Sequence, residues 1–353
     1  MNTQQKEKYT VSQFVMKVIN GSAVGIITAV IPNAIFGQIF LNLIPVWDGF
    51  ASMLAVVQVI QLLMPVLVGI GVAKQFDLSI IQMLSVGAAA FIGSGNVISV
   101  EGAWQITGIG DTVNAMLVSG IAVWFALLIE DKVKAFATIA FPSIVGAGAG
   151  IIGLVTLPYV SSITRLIGNV VASATALQPI LMSIIIAVIF ALLILTPISV
   201  VAIAFAISLD GIGSGAANLG LVAVVVFMAY GSYKAKNEVG ITVSIVLGGV
   251  KTMMPNFFSN LKMAFPIMIV SAIMGALAPI LNIQGTPASA GFGFAGLVGP
   301  IVAYGYLQNS VFVNILILVM VYAVLPVALC IFVYKLSNQV FKVIEDEDFK
   351  ATL

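Results

Sequence analysis

Long runs of apolar residues constrain this chain more than any other feature of its sequence. The runs at residues 49–73, 180–205 and 311–333 reach or exceed the roughly 20 residues that a helix needs to cross the hydrocarbon core of a membrane. Counting such runs predicts about nine to eleven membrane helices. The composition agrees, because only 8% of the residues are charged, against about 25% in a typical soluble domain. We therefore expect an all-α, polytopic protein of the cell membrane, with a single membrane domain over residues 1–353.

Charge and residue counts exclude several classes of protein. The net charge is +1 and the 14 Lys and Arg residues are scattered, so the chain offers no basic face for nucleic acid. Histidine is absent, which removes the commonest general base and phosphoryl acceptor. The one cysteine, Cys330, lies in an apolar run and is expected to be a small core residue, since one chain cannot build a disulfide framework or a multi-cysteine metal site from it. No cofactor and no metal site are predicted.

The charged residues cluster in a few short places, which predict the topology. These are residues 6–8, Lys74 with Asp77, residues 130–134, residues 234–238 and the tail at 335–350. Under the positive-inside rule they are the cytoplasmic candidates. We therefore expect both termini in the cytoplasm, as short tails at about 1–10 and 335–353. Residues 164–179 are either a short span or an amphipathic helix lying along the membrane interface, and both alternatives stay open.

Polar, glycine-rich breaks recur inside this apolar sequence, at residues 93–111, 209–220, 251–262 and 284–300. Irregular backbone at membrane depth is tolerated only where it is buried in protein or lines a wet cavity. Secondary transporters build their binding sites from broken helices of this kind. The breaks therefore predict broken or re-entrant segments and a site for a small polar solute.

The first break contains the carboxylates Glu101 and Asp111, with Asn96 and Asn114 close to them in sequence. Ionisable groups inside a membrane are expensive enough to be functional candidates. The amides can hydrogen-bond the hydroxyl groups of a solute. The alternative is that both carboxylates lie at the outer surface in ordinary water.

The second and third breaks contribute three further candidates. Asn218 would line a cavity if its turn lies at membrane depth, whereas Asp210, before Gly211, is expected to cap the following helix. Lys251 and Asn256 are candidates to face a polar ligand. An amphipathic interfacial segment would instead place Lys251 near the phosphates of membrane lipids.

Residues 284–300, called the glycine-rich segment below, read QGTPASAGFGFAGLVGP and carry no charge. Their glycines allow tight turns and close approach of the backbone to another group. We expect a re-entrant or broken segment whose backbone amides contact a substrate together with the side chains of Gln284, Thr286 and Ser289. The alternative is a seam of small residues where helices pack.

Five motifs, in one order across nearly the whole chain, resemble the EIIC-like membrane proteins of the PfoR type, which are grouped with the membrane subunits of the sugar phosphotransferase system. The motifs are GDTVNAML from Gly110, TPISVVAIA from Thr196, GAANLG from Gly215, KTMMPN from Lys251 and GTPASAGFGFAGLVGP from Gly285. The resemblance implies a homodimer with a substrate domain that contains re-entrant hairpins. It also implies an elevator-like movement of that domain.

The chain departs from the better-known sugar EIIC subunits at two points. Those subunits provide a carboxylate to the sugar from a Gly-Ile-Thr-Glu type of motif, and the corresponding run here, residues 284–289, has Ala or Pro in place of the acid. The histidine that they also use has no counterpart. The departures put sugar phosphorylation by the usual residues in doubt.

The sequence favours a transport subunit that moves a small polar, sugar-like solute across the membrane. Two alternatives stay open: a membrane sensor that binds a solute without transporting it, and an ion-coupled carrier in which Glu101 or Asp111 takes up a proton or sodium. No self-contained catalytic site is expected. Phosphotransfer would need a separate EIIB-like partner that docks on the cytoplasmic loops.

Overall fold

The computed structural model describes residues 9–133, 136–175, 177–287 and 289–351, and they are mostly helical. Among them, seven helices are long and apolar enough to cross a membrane, and a bent pair, Gly49–Leu62 with Met64–Gln75 at 48°, makes up to eight. Three shorter apolar helices bring the apolar segments into the expected range of about nine to eleven. The prediction of an all-α polytopic membrane protein is confirmed. The seven long helices are Val11–Leu43, Thr112–Ile129, Ala137–Ala174, Gly211–Lys234, Val239–Ser259, Leu261–Ile280 and Val311–Val340.

The chain divides into two compact units, which are described separately. Unit 1 comprises Met1–Gly25 and Pro65–Leu157, and unit 2 comprises Ile26–Met64 and Pro158–Leu353. Two helices, α1 (Val11–Leu43) and α7 (Ala149–Ala174), begin in unit 1 and end in unit 2. The other helices and strands of unit 1 are α3 (Met64–Gln75, from Pro65), α4 (Ile80–Gly93), β1 (Val97–Val100), β2 (Ala103–Ile106), α5 (Thr112–Ile129), α6 (Ala137–Ala140) and a π-helix at Phe141–Gly148.

Glycines let the helices of unit 1 approach to backbone contact. A Cβ on Gly21 of α1 would collide with the main chain of Gly71 and Val72 in α3. A Cβ on Gly153 of α7 would lie 2.6 Å from the Cα atom of Gly93, at the end of α4. Small residues at helix crossings are how membrane helices gain close van der Waals packing.

The break at residues 93–111 folds as a β-hairpin, which the sequence did not lead us to expect. β1 and β2 pair antiparallel with Val97 opposite Ile106. Glu101 and Gly102 form the two-residue turn, with φ of 50° and 82°. Positive φ at both central residues is the requirement of a type I′ hairpin turn, which suits glycine at the second position. All four residues of β2 are exposed.

Unit 2 is built around α10 (Gly211–Lys234), which packs against α8 (Pro179–Leu193) and α13 (Ala264–Ile280). Most of α10 is buried, because its small and aliphatic residues cover every face of the helix. The remaining elements are α2 (Gly49–Leu62), α9 (Val200–Ala206), α11 (Val239–Ser244), α12 (Met254–Ser259), α14 (Val298–Tyr306), α15 (Val311–Val319) and α16 (Leu325–Lys335). Short π-helices lie at Ile245–Gly249, Met320–Val324 and Leu336–Val340, and 3-10 helices at Val250–Met253, Leu261–Met263, Ala295–Leu297 and Asp346–Phe349.

The described residues between 164 and 179 form neither a separate span nor a separate interfacial helix. The stretch continues α7 as far as Ala174, and α8 then begins at Pro179. Pro179 is at the first turn of α8, where its missing N–H costs nothing and its fixed φ suits a helix start.

The end of the described chain packs onto unit 2. Residues 341–351, called the C-terminal segment below, place the fully buried ring of Phe349 against Phe227 and Tyr334. A Cβ on Gly231 of α10 would collide with this ring, so the glycine makes room for it. The Asn237 amide donates to the Phe349 carbonyl oxygen at 2.7 Å and accepts from the Ala351 N–H at 3.1 Å.

Candidate functional site

The glycine-rich segment begins beside the start of α10 in unit 2, and main-chain hydrogen bonds attach it there. The Gly211 N–H donates to the Gly285 carbonyl at 2.9 Å, and the Gly285 N–H donates back to the Gly211 carbonyl at 3.0 Å. Gly211 has a φ of 55°, which favours glycine. A Cβ on Gly215 would collide with the Ile283 carbonyl. Gly211 is therefore favoured by its positive φ, and Gly215 by the close approach of two backbones.

Three hydroxyl groups, called the hydroxyl cluster below, hold the first turn of the segment. The Ser214 hydroxyl on α10 donates to the Thr286 carbonyl at 2.7 Å and lies 3.4 Å from the Ser289 hydroxyl. The Ser289 hydroxyl accepts from the Thr286 N–H at 2.9 Å, and the Thr286 hydroxyl accepts from the Ser289 N–H at 3.3 Å. The side chains of Thr286 and Ser289 thus shape the segment as well as presenting hydroxyl groups.

Gln284 lies at the half-buried edge of this cluster. Its side-chain amide donates to the Asn282 side chain at 2.8 Å. Because Asn282 has a φ of 53°, the chain turns sharply between the end of α13 and the glycine-rich segment. Both amides are neutral and can exchange this mutual hydrogen bond for one to a polar ligand.

The far end of the segment folds back onto the middle of α10. Gly293, Gly296 and Leu297 all have a φ of 58° or 59°, and the Gly299 N–H closes the turn by donating to the Gly293 carbonyl at 3.1 Å. A Cβ on Gly299 would lie 2.7 Å from the Asn218 side-chain oxygen and 3.0 Å from the ring of Tyr322. Asn218 is fully buried, and neither atom of its amide has a hydrogen-bond partner among the described residues.

Lys251 points inward, to the break between α8 and α9. Its ammonium group donates to the carbonyl oxygens of Thr196 and, at 3.2 Å, of Ile198. Carbonyls after the end of a helix have no partner in the helix itself, and a cation near the helix C-terminus stabilises them. Lys17 does the same in unit 1, where it donates to the Gln75 carbonyl at 2.5 Å, at the end of α3. The described contacts of Lys251 are therefore with main-chain carbonyls of the irregular stretch between α8 and α9, and its contact with a ligand stays a prediction.

Asn256 contacts the C-terminal segment. Its amide donates to the carbonyl oxygens of Asp348 and Lys350, both at 2.8 Å. Its side-chain oxygen is buried and has no partner among the described residues. The structure thus places Asn256 with the docked end of the chain, whereas Asn218, Gln284, Thr286 and Ser289 lie along the glycine-rich segment.

The four candidates of the first break lie in unit 1, and three of them have structural contacts. Asn114 donates to the carbonyls of Gly93 at 2.6 Å and Gly153 at 2.8 Å, and it accepts from the Thr156 hydroxyl at 2.8 Å. Asp111 caps α5 by accepting from the Asn114 N–H at 2.9 Å.

The other two candidates of that break belong to the hairpin. Asn96 is buried at its base, where its carbonyl accepts from the Thr107 N–H at 2.8 Å. Glu101 is exposed at the hairpin tip. Among the described residues, Glu101 has no contact with another candidate residue. Ligand binding by Asn96, Glu101, Asp111 and Asn114 stays a prediction.

Tyr322 is the residue at this site that sequence reasoning missed. It is 3% exposed, and its hydroxyl has no partner among the described residues. It lies in the π-helix Met320–Val324, which interrupts the last long helix. Such π-turns are rare and often occur at functional sites. In the sequence, Tyr322 is distinguished only as the one tyrosine within the aliphatic run ILILVMVYAVLP.

Comparison with known proteins supports the resemblance noted in the motifs. Residues 16–351 match the family model described as phosphotransferase system, EIIC. No curated protein and no solved structure matches the chain.

Proposed function

Because the chain belongs to the phosphotransferase system EIIC family, we propose that it moves a small polar, sugar-like solute across the cytoplasmic membrane. Family membership and several long apolar helices support a multi-pass transport subunit of this system. That the transported solute is sugar-like is part of our proposal.

One observation carries this proposal: the uncharged, glycine-rich segment is attached to the buried helix α10 and contacts buried polar side chains of that helix. The hydroxyl cluster lies at one end of the segment, and the unpaired amide of Asn218 lies at the other. Neutral hydroxyl and amide groups suit a solute that carries hydroxyl groups. In the proposal this site is formed by four of the predicted binding residues: Asn218, Gln284, Thr286 and Ser289.

Uptake into proteoliposomes tests the proposal. Labelled hexoses, pentoses and hexitols are offered one at a time to vesicles that contain the purified chain. We expect uptake of at least one solute, and we expect Gln284→Ala to reduce it about fivefold, because a ligand hydrogen bond contributes roughly 1 kcal/mol. Gln308→Ala is the matched control, since Gln308 is exposed between α14 and α15, away from the segment. Equal uptake by the two variants would show that Gln284 does not contact the solute.

The family also implies a separate EIIB partner in general, and we propose that any phosphoryl transfer here depends on one. The chain has no histidine, and its one cysteine is fully buried, with its thiol 3.4 Å from the Ala223 carbonyl that accepts from it. A reactive cysteine needs exposure and an electropositive surrounding. Incubation with the general phosphotransferase proteins should therefore phosphorylate a solute only when an EIIB protein is added. Phosphorylated solute without EIIB would contradict this dependence.

The family resemblance extends the proposal to a homodimer that works by an elevator-type movement of its substrate domain. Cross-linking in native membranes tests the dimer, and accessibility of a cysteine at Gln284 from the two membrane faces tests the movement. Protection of this cysteine from both faces, with and without transported solute, would argue against alternating access.

The sensor remains the second candidate, and the absence of a carboxylate from residues 284–289 favours it. A sensor would be stabilised against heat by its solute, in proportion to the logarithm of the solute concentration, yet would show no flux.

A further inference from the structure

Asn218 and Tyr322 stand out because both side chains carry buried, unpaired polar atoms and both lie beside Gly299. Asn218 is fully buried and Tyr322 is 3% exposed, and neither side chain finds a hydrogen-bond partner among the described residues. Other buried asparagines have side-chain partners: Asn114 makes three side-chain hydrogen bonds and Asn314 makes two, and Asn256 makes two through its N–H groups while its oxygen has none among the described residues. A buried polar group without a partner costs free energy that a well-folded chain normally avoids.

Gly299 brings the two groups together. The position of a Cβ on this residue is 2.7 Å from the Asn218 oxygen and 3.0 Å from the Tyr322 ring. The turn from Gly293 to Gly299 is closed by its own hydrogen bond of 3.1 Å, so its backbone is held in place beside the pair. The amide, the phenol and a glycine turn thus meet at one buried position on α10.

The chemistry of the pair selects a neutral hydroxyl group. The amide offers two N–H donors and one acceptor, and the phenol offers one donor and one acceptor. A hydroxyl group can donate to one member of the pair and accept from the other. Neither side chain is charged, so a carboxylate, phosphate or ammonium group bound by this pair would be buried without a counter-charge from it, at a large cost in free energy.

Resting on the proposed function, we propose that Asn218 and Tyr322 bind one hydroxyl group of the transported solute and so determine which solutes are accepted. A structural water molecule could make the same hydrogen bonds to Asn218 and Tyr322. The two sources differ in one consequence: a structural water would make the pair contribute to the stability of the protein without solute, whereas a solute site would not.

The stability of the solute-free protein separates the two sources. Tyr322→Phe removes an unpaired hydroxyl, so we expect the melting temperature of the purified full chain in detergent to stay the same or rise. Tyr334→Phe is the matched control, because Tyr334 is also buried but donates a hydrogen bond of 2.7 Å to Asp346. It should lower the melting temperature by a few degrees. An equal decrease in Tyr322→Phe would show that its hydroxyl is bonded within the fold, and would overturn the proposal.

Solute binding gives the second measurement. Glucose, galactose, ribose and mannitol are titrated as neutral probes, with gluconate and glucose 6-phosphate as anionic ones, and stabilisation against heat reports binding. We expect a neutral probe to stabilise the wild type, and Asn218→Leu and Tyr322→Phe each to weaken its binding about 3- to 10-fold. Tyr334→Phe should bind the probe with unchanged affinity.

The outcomes distinguish this inference from the proposed function. If a neutral probe binds and both site variants bind it as tightly as the wild type, the hydroxyl site is refuted while the proposed function stands. If only anionic probes bind, the neutral site is refuted as well. If no probe binds the wild type, the sugar-like substrate of the proposed function fails, and the stability of Tyr322→Phe alone still decides whether its hydroxyl is unpaired.

Discussion

The substitution Phe349→Ala should release the C-terminal segment from unit 2. The Phe349 ring is fully buried, with its centroid 6.0 Å from that of Phe227 and 5.4 Å from that of Tyr334. Truncation of a buried phenylalanine to alanine costs about 3–5 kcal/mol, because it removes apolar contact and leaves a cavity. Since 1.4 kcal/mol is a factor of ten in an equilibrium constant, local opening of the segment should become at least about 100-fold more frequent.

Hydrogen–deuterium exchange of the peptide that covers residues 342–351 measures this opening. Its amides include the Ala351 N–H, which donates to Asn237 only while the segment is docked. Exchange of docked amides reports the free energy of local opening. Phe341→Ala is the control within the same segment, because Phe341 is 67% exposed and should leave the exchange rate unchanged. Exchange in Phe349→Ala within threefold of the control would refute the reasoning that this ring anchors the segment.

Three further predictions concern the rest of the fold. Asn114→Ala should destabilise the protein by about 2–4 kcal/mol, measured as heat stability in detergent, because it removes three buried side-chain hydrogen bonds. Gly215→Ala should prevent correct folding, because the new Cβ would collide with a main-chain carbonyl. Loss of the monodisperse peak in size-exclusion chromatography would show this. Gly240→Ala is the control and should be tolerated, because nothing lies within 4 Å of its new Cβ. Single cysteines at Lys132 and Lys236, both exposed, should be labelled by an impermeant reagent from the cytoplasmic face alone, in a background without other cysteines.

The membrane architecture could be predicted from sequence because each long apolar run carries its own signal. The hairpin at residues 97–106 could not, since the polar break that contains it was interpreted only as irregular backbone. Its turn has Glu at the first central position, where Asn or Asp is the usual signal. The apolar spans on either side of the break also predict that it lies at membrane depth, whereas all of β2 is exposed.

The broken backbone of the glycine-rich segment was predictable from its glycines, but the contacts of the candidate amides were not. Asn114, Asn218 and Asn256 look alike in sequence, as polar residues in glycine- or proline-containing breaks. What separates them is the presence of distant carbonyl partners: Asn114 has one 39 residues away, and Asn256 has two that are 92 and 94 residues away. Sequence spacing cannot show such contacts, and it cannot show that Asn218 lacks them.

Position 284 can change its side chain with little effect on the attachment of the glycine-rich segment to α10, because main-chain atoms make part of that attachment. The two hydrogen bonds between Gly211 and Gly285 do not involve any side chain. Gln284 precedes this attachment and is only half buried. In directed evolution, saturation of position 284 should therefore yield folded proteins with altered solute preference more often than saturation of Gly215, where the backbones touch. The chain thus separates the residue that can vary from the residues that hold the segment on α10.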